Sequence, residues 1–525
     1  MHRLTSGGWL PGLIAGVAVV LFTLTSSLPT GRTQGKSTPV VLRYAGGEYA
    51  TLDPAFIDSA TDVQLLLQLY AGLTRLDEQG NPYLSLARSW SLSDGGATYT
   101  FHLRSGLTFS DGSPLDATDV RRSWLRILDP ATGSTAPDVL SVIKGAAERL
   151  AGGPEDGVGI EVPDPLTLVV RLKHPAGYFL SIAATPTAFV VPRSATPARD
   201  WQKIGSFIGS GPYQADAIDG VDLVLTSNAH YVAGAPPIDE VRWVTNLPGG
   251  AVTALADNQI DLATIGSADA GWIAYDQALG PSLHRAPALG VQYFGFDTTR
   301  PPFDDARVRR AFALALDRTR LVALAEPAGA VAASSIVPAA LWPAGLVDDQ
   351  NVNVDEARSI LDGAGYADRS KLGTITINGS GLGVGPAVAV WERELGVTMN
   401  VESMVFRDYL RALETNPPQI FTINWIADYP SPYALYSLLL LPDATSNYGR
   451  WNDPKFMRLL DVASATISTS AQAAAYRAVD VRVDQEAPVI PWSYGAGWWL
   501  VRPGLRGLGN LTIGLTDFGR VSWDS

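Results

Sequence analysis

The chain has 525 residues, more than a single hydrophobic core usually organises, so we expect two or three domains. A net charge of −13 argues against a protein that binds nucleic-acid phosphates. The sequence contains no cysteine, which excludes disulfides, thiolate metal sites and cysteine nucleophiles. A hydrophobic content of 46% is ordinary for a folded, globular protein.

The first element is a basic and then apolar N-terminal segment. His2 and Arg3 precede an uncharged run from Trp9 to Leu24, which small and polar residues follow. This order is typical of a secretory signal peptide, and the run is also close to the roughly 20 residues of a membrane span. We therefore interpret residues 1–38 as a cleaved signal peptide or an N-terminal anchor of an extracytoplasmic protein. Without a cysteine, the chain cannot be a cysteine-linked lipoprotein.

Residues 98–130 predict a strand, a tight turn and a helix in that order. Apolar and polar side chains alternate over 98–104, which is the period of a half-buried strand. Asp111-Gly112 is typical of a turn, and helical spacing begins at Asp116. The apolar side of this helix carries Val120, Trp124 and Leu128. The side assigned to solvent carries Arg121, Arg122 and Arg126.

The remaining pattern alternates strands and helices, as in an α/β protein. In GSGPY, Gly211 before Pro212 fits a chain that crosses closely against another backbone. Asp304 or Asp305 can cap a helix that starts after RPPFDD. Further strands are predicted at 374–378, 397–403, 419–427, 489–494 and 498–501, and further helices at 354–364, 454–465 and 471–485.

Several blocks of this chain stand in the order and rough spacing of a known family. They are residues 98–130, YAGLTRLDEQGNPYLSLARSWSLSDGG (70–96), GSGPY (209–213), RPPFDDARVRRAFALALDR (300–318), WIADYPSP (425–432), YGRWNDPKF (448–456) and APVIPWSYG (487–495). The chain resembles the extracytoplasmic solute-binding proteins of peptide and nickel ABC importers, the oligopeptide- and dipeptide-binding family. The resemblance implies an α/β fold with mixed sheets, periplasmic-binding-protein-like of class II, with two lobes around a cleft and an extra inserted domain.

The resemblance also implies a discontinuous domain organisation. Domain I would gather residues 40–77, 205–296 and 491–525. Domain II would be the insertion 78–204, and domain III would be 297–490. The two chain crossings near 297–302 and 488–491 would then form a hinge between the lobes.

Asp428 is the strongest candidate for a binding residue. Period-two alternation places it on the same strand face as Asn424 and Ile426, with Trp425 and Ala427 on the other face. In the family, the matching aspartate accepts the free ammonium group of a peptide ligand. Without the resemblance, an aspartate before a tyrosine and a proline would be interpreted as a turn or cap residue.

Two further segments complete the predicted ligand-binding set. A peptide extended along 424–427 can pair backbone to backbone, and the loop 57–62, with Ser59 and Asp62, is expected on the opposite wall. Gly381 and Gly383 belong to a glycine-rich loop, 379–385, expected to line the cleft. This loop does not match G-x-G-x-x-G, because Val384 takes the place of the third glycine.

The chain departs from the oligopeptide-binding pattern at two basic positions. Some relatives carry an arginine where this chain has Thr422, and a histidine where it has the glycine-rich loop. Those basic groups meet the carboxylate end of peptides, so ligand length stays open. Oligosaccharides and metal chelates are alternative cargoes, because fold does not determine ligand.

An enzyme is the alternative from a different functional class. The five histidines include no metal-ligand spacing, and no G-x-S-x-G elbow occurs, so only a carboxylate-dependent hydrolase stays open. We predict a monomeric, non-catalytic receptor without metal or cofactor. It would capture a short peptide by domain closure and deliver it to ABC transporter permease subunits.

Overall fold

The structure is a computed structural model that describes residues 38–77, 79–195, 200–325, 329–342, 352–378, 383–508 and 515–524. The helices before residue 300 are α1 (Ala60–Leu69), α2 (Ala117–Leu128), α3 (Ala146–Leu150), α4 (Phe179–Ile182), α5 (Gly250–Ala256) and α6 (Ser267–Ile273). The strands of the same part are β1 (Val41–Ala45), β2 (Thr74–Leu76), β3 (Pro82–Leu84), β4 (Ala87–Ser93), β5 (Thr98–Leu103), β6 (Ile160–Asp164), β7 (Thr167–Arg171), β8 (Tyr213–Asp219), β9 (Asp222–Ser227), β10 (Glu240–Val244), β11 (Leu262–Ile265) and β12 (Leu283–Phe296).

Helices dominate the part of the chain after residue 300. They are α7 (Ala306–Leu314), α8 (Arg318–Ala325), α9 (Val354–Leu361), α10 (Val384–Leu395), α11 (Phe406–Thr415), α12 (Pro432–Leu440), α13 (Pro454–Ala465) and α14 (Thr469–Glu486). The strands are β13 (Val331–Ala332), β14 (Thr374–Asn378), β15 (Thr398–Glu402), β16 (Ile420–Ile426), β17 (Val489–Val501), β18 (Leu505–Arg506) and β19 (Ser522–Trp523). The predicted mixed α/β fold is confirmed.

One large mixed sheet runs through the molecule in the order β15-β14-β16-β12-β17-β11-β1-β10-β9-β8. The central strands β12 and β17 pair antiparallel with each other, and their register is interrupted between Pro287 and Val291. We call the side of β1 and β8–β11, with the small sheet β4-β5-β7-β6, the first lobe. The second lobe is the side of β14–β16 with helices α7–α14. The lobes therefore share β12 and β17.

The sequence predicted two short strands where the structure has the single strand β17. Gly495, Ala496 and Gly497 lie between the two predicted segments and suggested an interruption. Instead, the backbone stays extended there, because β12 pairs with β17 at 489–494 and again at 496–500, so that only Gly495 of the three small residues falls outside the ladder. The interruption falls in the register of the ladder and not in the strand itself.

The predicted strand, turn and helix of residues 98–130 are confirmed as β5, a turn at Gly112 and α2. Asp116 caps α2 and forms a capping box with Asp119, which satisfies free N–H groups at the helix start. The apolar side of α2 is fully buried and belongs to the same core cluster as residues of the small sheet β4-β5-β7-β6.

The assignment of three α2 arginines to solvent holds only in part, because the side chains of Arg121 and Arg122 are 28% and 30% exposed, whereas that of Arg126 is only 13% exposed. Arg126 binds the fully buried carboxylate of Asp53 through two bonds of 2.9 and 2.5 Å. Arg121 donates to Ile160 O and Arg122 to Val191 O. Long arginine stems pack along the protein while their guanidinium groups reach neighbouring acceptors, so a charged stripe need not face water.

Two polar contacts hold helix α1 in place. Gly211 donates to Leu69 O at 3.0 Å, and a Cβ at Gly211 would lie 2.4 Å from Tyr70 N. This confirms the predicted close crossing. On another side of α1, Gln64 and Gln68 both donate to Thr516 O, at 2.7 and 2.8 Å. The beginning and the end of the described chain are thus joined at α1.

Helices in the described ranges lack the combination of length and apolarity needed to cross a bilayer. The predicted signal or anchor segment lies almost wholly in residues 1–37, outside the described residues.

Candidate functional site

A cavity of about 1210 Å³ opens between the two lobes. The first lobe contributes residues of α1 and its preceding turn, of 136–142, of 173–187, of 507–508 and of 515–520. The second lobe contributes 425–446. Most lining side chains are apolar, including Ile57, Val63, Leu67, Trp425 and Leu438. A large, mostly apolar cavity with few polar groups is the usual form of a small-ligand site.

The C-terminal end of β16 brings the predicted binding segment into this cavity. Trp425, Ile426, Ala427 and Asp428 all belong to its lining. Along this segment Asn424, Ile426 and Asp428 are exposed, whereas Trp425 and Ala427 between them are less exposed. The predicted period of two is therefore confirmed for this strand.

Asp428 presents an unpaired carboxylate to the cavity. Its side chain is reached by solvent, yet the protein surrounding the cavity raises the pKa of Asp428 above its ordinary value by desolvation. Within the described residues, its carboxylate accepts no hydrogen bond and forms no ion pair. An acid held in this way binds a cation more favourably than an acid in open water, because desolvation weakens competition from solvent.

Within the part of the chain that the structure describes, β16 has an open backbone edge beside Asp428. On one side it pairs with β12 from Ile420 to Ile426, while β14 covers the other side only at Ile420 and Phe421. Tyr409 occupies the next position, where its hydroxyl donates to Thr422 O at 2.6 Å and accepts from Thr422 N at 3.1 Å. Since backbone groups alternate along a strand, Asn424 and Ile426 direct theirs to the same uncovered edge.

A cluster of tyrosines forms another part of the cavity wall. Tyr178 of the first lobe stacks on Tyr433 and Tyr429 of the second lobe, with ring centroids 4.2 and 5.9 Å apart. Gly177 also donates to Ser464 O at 2.8 Å. Burial raises the pKa of Tyr178 well above its ordinary value, so this phenol stays neutral. The two lobes touch at this end of the cavity.

The structure does not bring Ser59 and Asp62 into the cavity lining. They form the capping box of α1, and Asp62 is fully buried. Its carboxylate accepts from the backbone N–H groups of Ala50 and Ser59, at 2.7 and 3.1 Å. From the same segment, Ile57 and Ala60 line the cavity instead.

The remaining predicted residues are Asn424, Gly383 and Gly381, and none of them belongs to the described cavity lining. Asn424 is exposed beside the open edge of β16 but is not part of the cavity lining. Gly383 packs against the Trp492 ring, which a Cβ would approach to 2.7 Å. Gly381 lies outside the described residues.

Sequence reasoning missed Tyr178, Tyr433, Lys173 and Arg520, which all line the cavity. No local pattern identifies them, because they come from separate segments that meet only in the folded molecule. The described residues include no group of three or more histidine, aspartate or glutamate side chains arranged to hold a metal ion.

A wide cavity between two lobes, with two strands that run from one lobe into the other, is the architecture of a two-lobed solute-binding protein. A family model described as "Bacterial extracellular solute-binding proteins, family 5 Middle" matches residues 81–447. The chain belongs to this family of bacterial extracellular solute-binding proteins, which confirms the resemblance found in its sequence motifs. The family consists of substrate-binding proteins and not of enzymes.

Two similar proteins of Escherichia coli K12 extend over nearly the whole chain. One is named probable deoxycholate-binding periplasmic protein YgiS and is 28% identical over 526 residues, covering 95% of each chain. The other is the periplasmic oligopeptide-binding protein OppA, 26% identical over 526 residues, covering 96% of this chain and 95% of OppA.

A solved structure supports the two-lobed fold. The periplasmic murein tripeptide-binding protein MppA, in its unliganded open form, matches with a TM-score of 0.83 at 24% identity. The match covers 93% of this chain and 98% of MppA. The predicted two-lobed α/β architecture is thereby confirmed.

Proposed function

We propose that this protein captures short peptides in the interlobe cavity outside the cytoplasm and delivers them to the permease subunits of an ABC importer. The observation that carries the proposal is Asp428. Among the described residues, it is an unpaired carboxylate in a mostly apolar cavity, at the end of a strand with an open edge. Relatives named for binding oligopeptides and a murein peptide support it.

The chemistry of a peptide suits this arrangement at two points. Its ammonium group meets the Asp428 carboxylate, and this charge-assisted bond replaces lost hydration. Its backbone then adds to the open edge of β16 at Asn424 and Ile426, as a further strand would. Main-chain pairing does not depend on side-chain identity, so we expect broad sequence tolerance.

Closure of the lobes follows from contacts that a ligand makes with both walls at once. A ligand shifts an equilibrium between open and closed forms only through its different affinity for the two. Asp428 lies on the second lobe, and α1 with residues 507–508 and 515–520 lies on the first. A peptide touching both favours the closed form, which would present a joined surface to the permease.

The first test is the substitution Asp428→Asn, measured by calorimetry with a pool of tripeptides and tetrapeptides. Loss of a charged hydrogen bond of about 1.5–3 kcal/mol should weaken binding by roughly ten- to a hundredfold. Asp443→Asn is the matched control, because Asp443 is another exposed carboxylate of the same lining. We expect it to leave the affinity almost unchanged.

An N-acetylated pool separates the ammonium contact from other effects of the substitution. Acetylated peptides should bind the wild-type protein weakly, and Asp428→Asn should weaken them no further. Equal binding of the free and acetylated pools by the wild-type protein would contradict the proposed role of Asp428.

A second candidate ligand is an amphipathic acid. The mostly apolar lining favours it, and one relative is named for binding deoxycholate. Native mass spectrometry of the protein purified without denaturation distinguishes the candidates by the mass of the bound molecule. Return of that molecule intact after incubation would support a receptor, whereas a changed mass would support an enzyme. The same spectrum reports whether the protein is the monomer that we propose.

A further inference from the structure

The cavity lining contains three side chains with a permanent positive charge within the described residues, namely Arg75, Lys173 and Arg520. The Arg75 guanidinium group is already bound by protein groups. It donates to Leu67 O at 2.9 Å and to Tyr70 O at 3.2 Å, and its Nε lies 3.2 Å from the Asp517 carboxylate. Burial opposes its charge, but Asp517 and neighbouring tyrosines outweigh that effect and raise the pKa of Arg75.

The Asp517 carboxylate is likewise bound by protein groups, so it cannot neutralise a second cation well. Besides the ion pair with Arg75, its carboxylate accepts from Gly519 N at 3.0 Å and caps the turn Phe518–Arg520. The charges of Arg75 and Asp517 cancel. Of these three groups, Arg520, which is exposed at the end of the same turn, is therefore the one whose charge the other two do not balance.

Arg520 is held in a definite orientation without an anionic partner. Its guanidinium carbon lies 4.5 Å from the centre of the Tyr83 ring, a cation–π contact that restrains the planar group. Within the described ranges, no carboxylate forms an ion pair with Arg520. A guanidinium stacked on one face keeps its N–H edge free, and that edge matches a carboxylate in bidentate geometry.

The second lobe supplies no comparable cation. Thr422 occupies the position where some relatives carry an arginine, and it is buried with both backbone groups bound to Tyr409. The described lining of the second lobe, 425–446, contains acidic groups but no lysine or arginine. An anionic group of the ligand is therefore met from the first lobe.

We propose that Arg520 binds a carboxylate of the ligand and, with Asp428 on the opposite lobe, selects solutes that carry both charges. This inference rests on the proposed capture of a ligand in the interlobe cavity. Arg520 lies on the first lobe and Asp428 on the second, so a molecule that satisfies both draws the lobes together. Arg520 would thus determine specificity at the carboxylate end, where the chain lacks the basic groups of some relatives.

The test compares a pool of tripeptides and tetrapeptides with the same pool amidated at the carboxyl end, by calorimetry on the full protein. The wild-type protein should prefer the free acids by roughly ten- to a hundredfold, which is the range expected for one charge-assisted contact. Arg520→Gln should abolish this preference by weakening only the acids. Arg520→Lys should keep part of it, because the charge remains while the planar fork is lost.

Lys173→Gln is the matched control, since Lys173 is the other exposed lining cation without an ion pair among the described residues. We expect it to keep the preference for free acids. If Lys173→Gln removes the preference and Arg520→Gln does not, Arg520 is excluded as the carboxylate-binding residue. Thermal unfolding of each variant shows whether the loss of the Tyr83 contact has altered the fold.

The outcomes separate this inference from the proposed function. Equal binding of acids and amides by the wild-type protein overturns the role of Arg520 while peptide capture stands. Failure of both pools to bind overturns peptide capture. In that case the binding of deoxycholate is measured instead. If Arg520 binds a carboxylate, Arg520→Gln should weaken the binding of deoxycholate about tenfold or more, whereas Asp428→Asn should not weaken it. Binding of deoxycholate unaffected by Arg520→Gln excludes Arg520 for this source as well.

Discussion

Asp428 is both open to the cavity and shielded from bulk water. Its raised pKa means that, in the absence of ligand, the carboxyl group takes up a proton at a pH above the ordinary aspartate value of about 3.9. The contribution of Asp428 to stability is therefore fully present below that value and is lost as the pH rises through its folded-state pKa. Ionised Asp428 destabilises the folded protein, and a bound ammonium group relieves this destabilisation.

The affinity for peptides should consequently fall on acidification before an ordinary aspartate would begin to titrate. Binding should also release protons near the pKa of Asp428, because the ligand cation favours the ionised carboxyl group. Calorimetry in buffers of different ionisation enthalpy measures this release. In Asp428→Asn both the pH dependence and the proton release should disappear. A proton release that persists in this variant would assign it to another group.

Single residues were predictable where one physical constraint decided their role. Gly211 was expected at a close crossing because only glycine allows two backbones to approach so nearly, and the structure agrees. Asp304 or Asp305 was expected to cap a helix, and Asp305 does so, accepting from Arg307 N. Arg126 was not predictable, because its partner Asp53 lies 73 residues away and no local pattern marks it.

At the scale of elements, the pair of Asp53 and Arg126 ties helix α2 to the turn that precedes α1. Arg126→Ala leaves the buried Asp53 carboxylate without its cation, which should lower the free energy of unfolding by roughly 3–5 kcal/mol. Urea unfolding followed by circular dichroism measures the change in midpoint. Substituting Arg506, whose pair with Asp524 is exposed, is the control and should leave the midpoint unchanged. Equal effects of the two substitutions would contradict a structural role for the buried pair.

Elements with a clear period were well predicted, and their ends and interruptions were not. Strand β14 and helix α13 have the bounds expected from their alternating and helical patterns. β17 was divided because Gly495 and Gly497 resemble a turn when read locally. The pairing of β17 with β12 on both sides overrides that local signal, and long-range pairing is invisible in one segment.

At the scale of the whole molecule, the cavity between the lobes predicts a change of shape on ligand binding. The radius of gyration from small-angle X-ray scattering should decrease when the peptide pool saturates the wild-type protein, because contacts to both walls favour closure. The N-acetylated pool at the same concentration should produce a smaller decrease. A radius that stays constant while calorimetry reports saturation would contradict closure.

The position of the binding segment was predicted from its motif, whereas the composition of the cavity was not. WIADYPSP places Asp428 at a strand end, and the structure places that end in the cavity. The opposite wall was assigned to Ser59 and Asp62, although the backbone of their own helix start takes up both side chains. The proposed domain boundaries remain predictions. Segments that meet only through the fold, such as those of Tyr178 and Arg520, require the structure.

The attachment of α1 to the far end of the chain has a consequence for how the protein is made. Gln64 and Gln68 hold the backbone at Thr516 and Phe518, and strand β17 lies inside the shared sheet. During synthesis the first lobe therefore stays incomplete until almost the entire polypeptide has emerged.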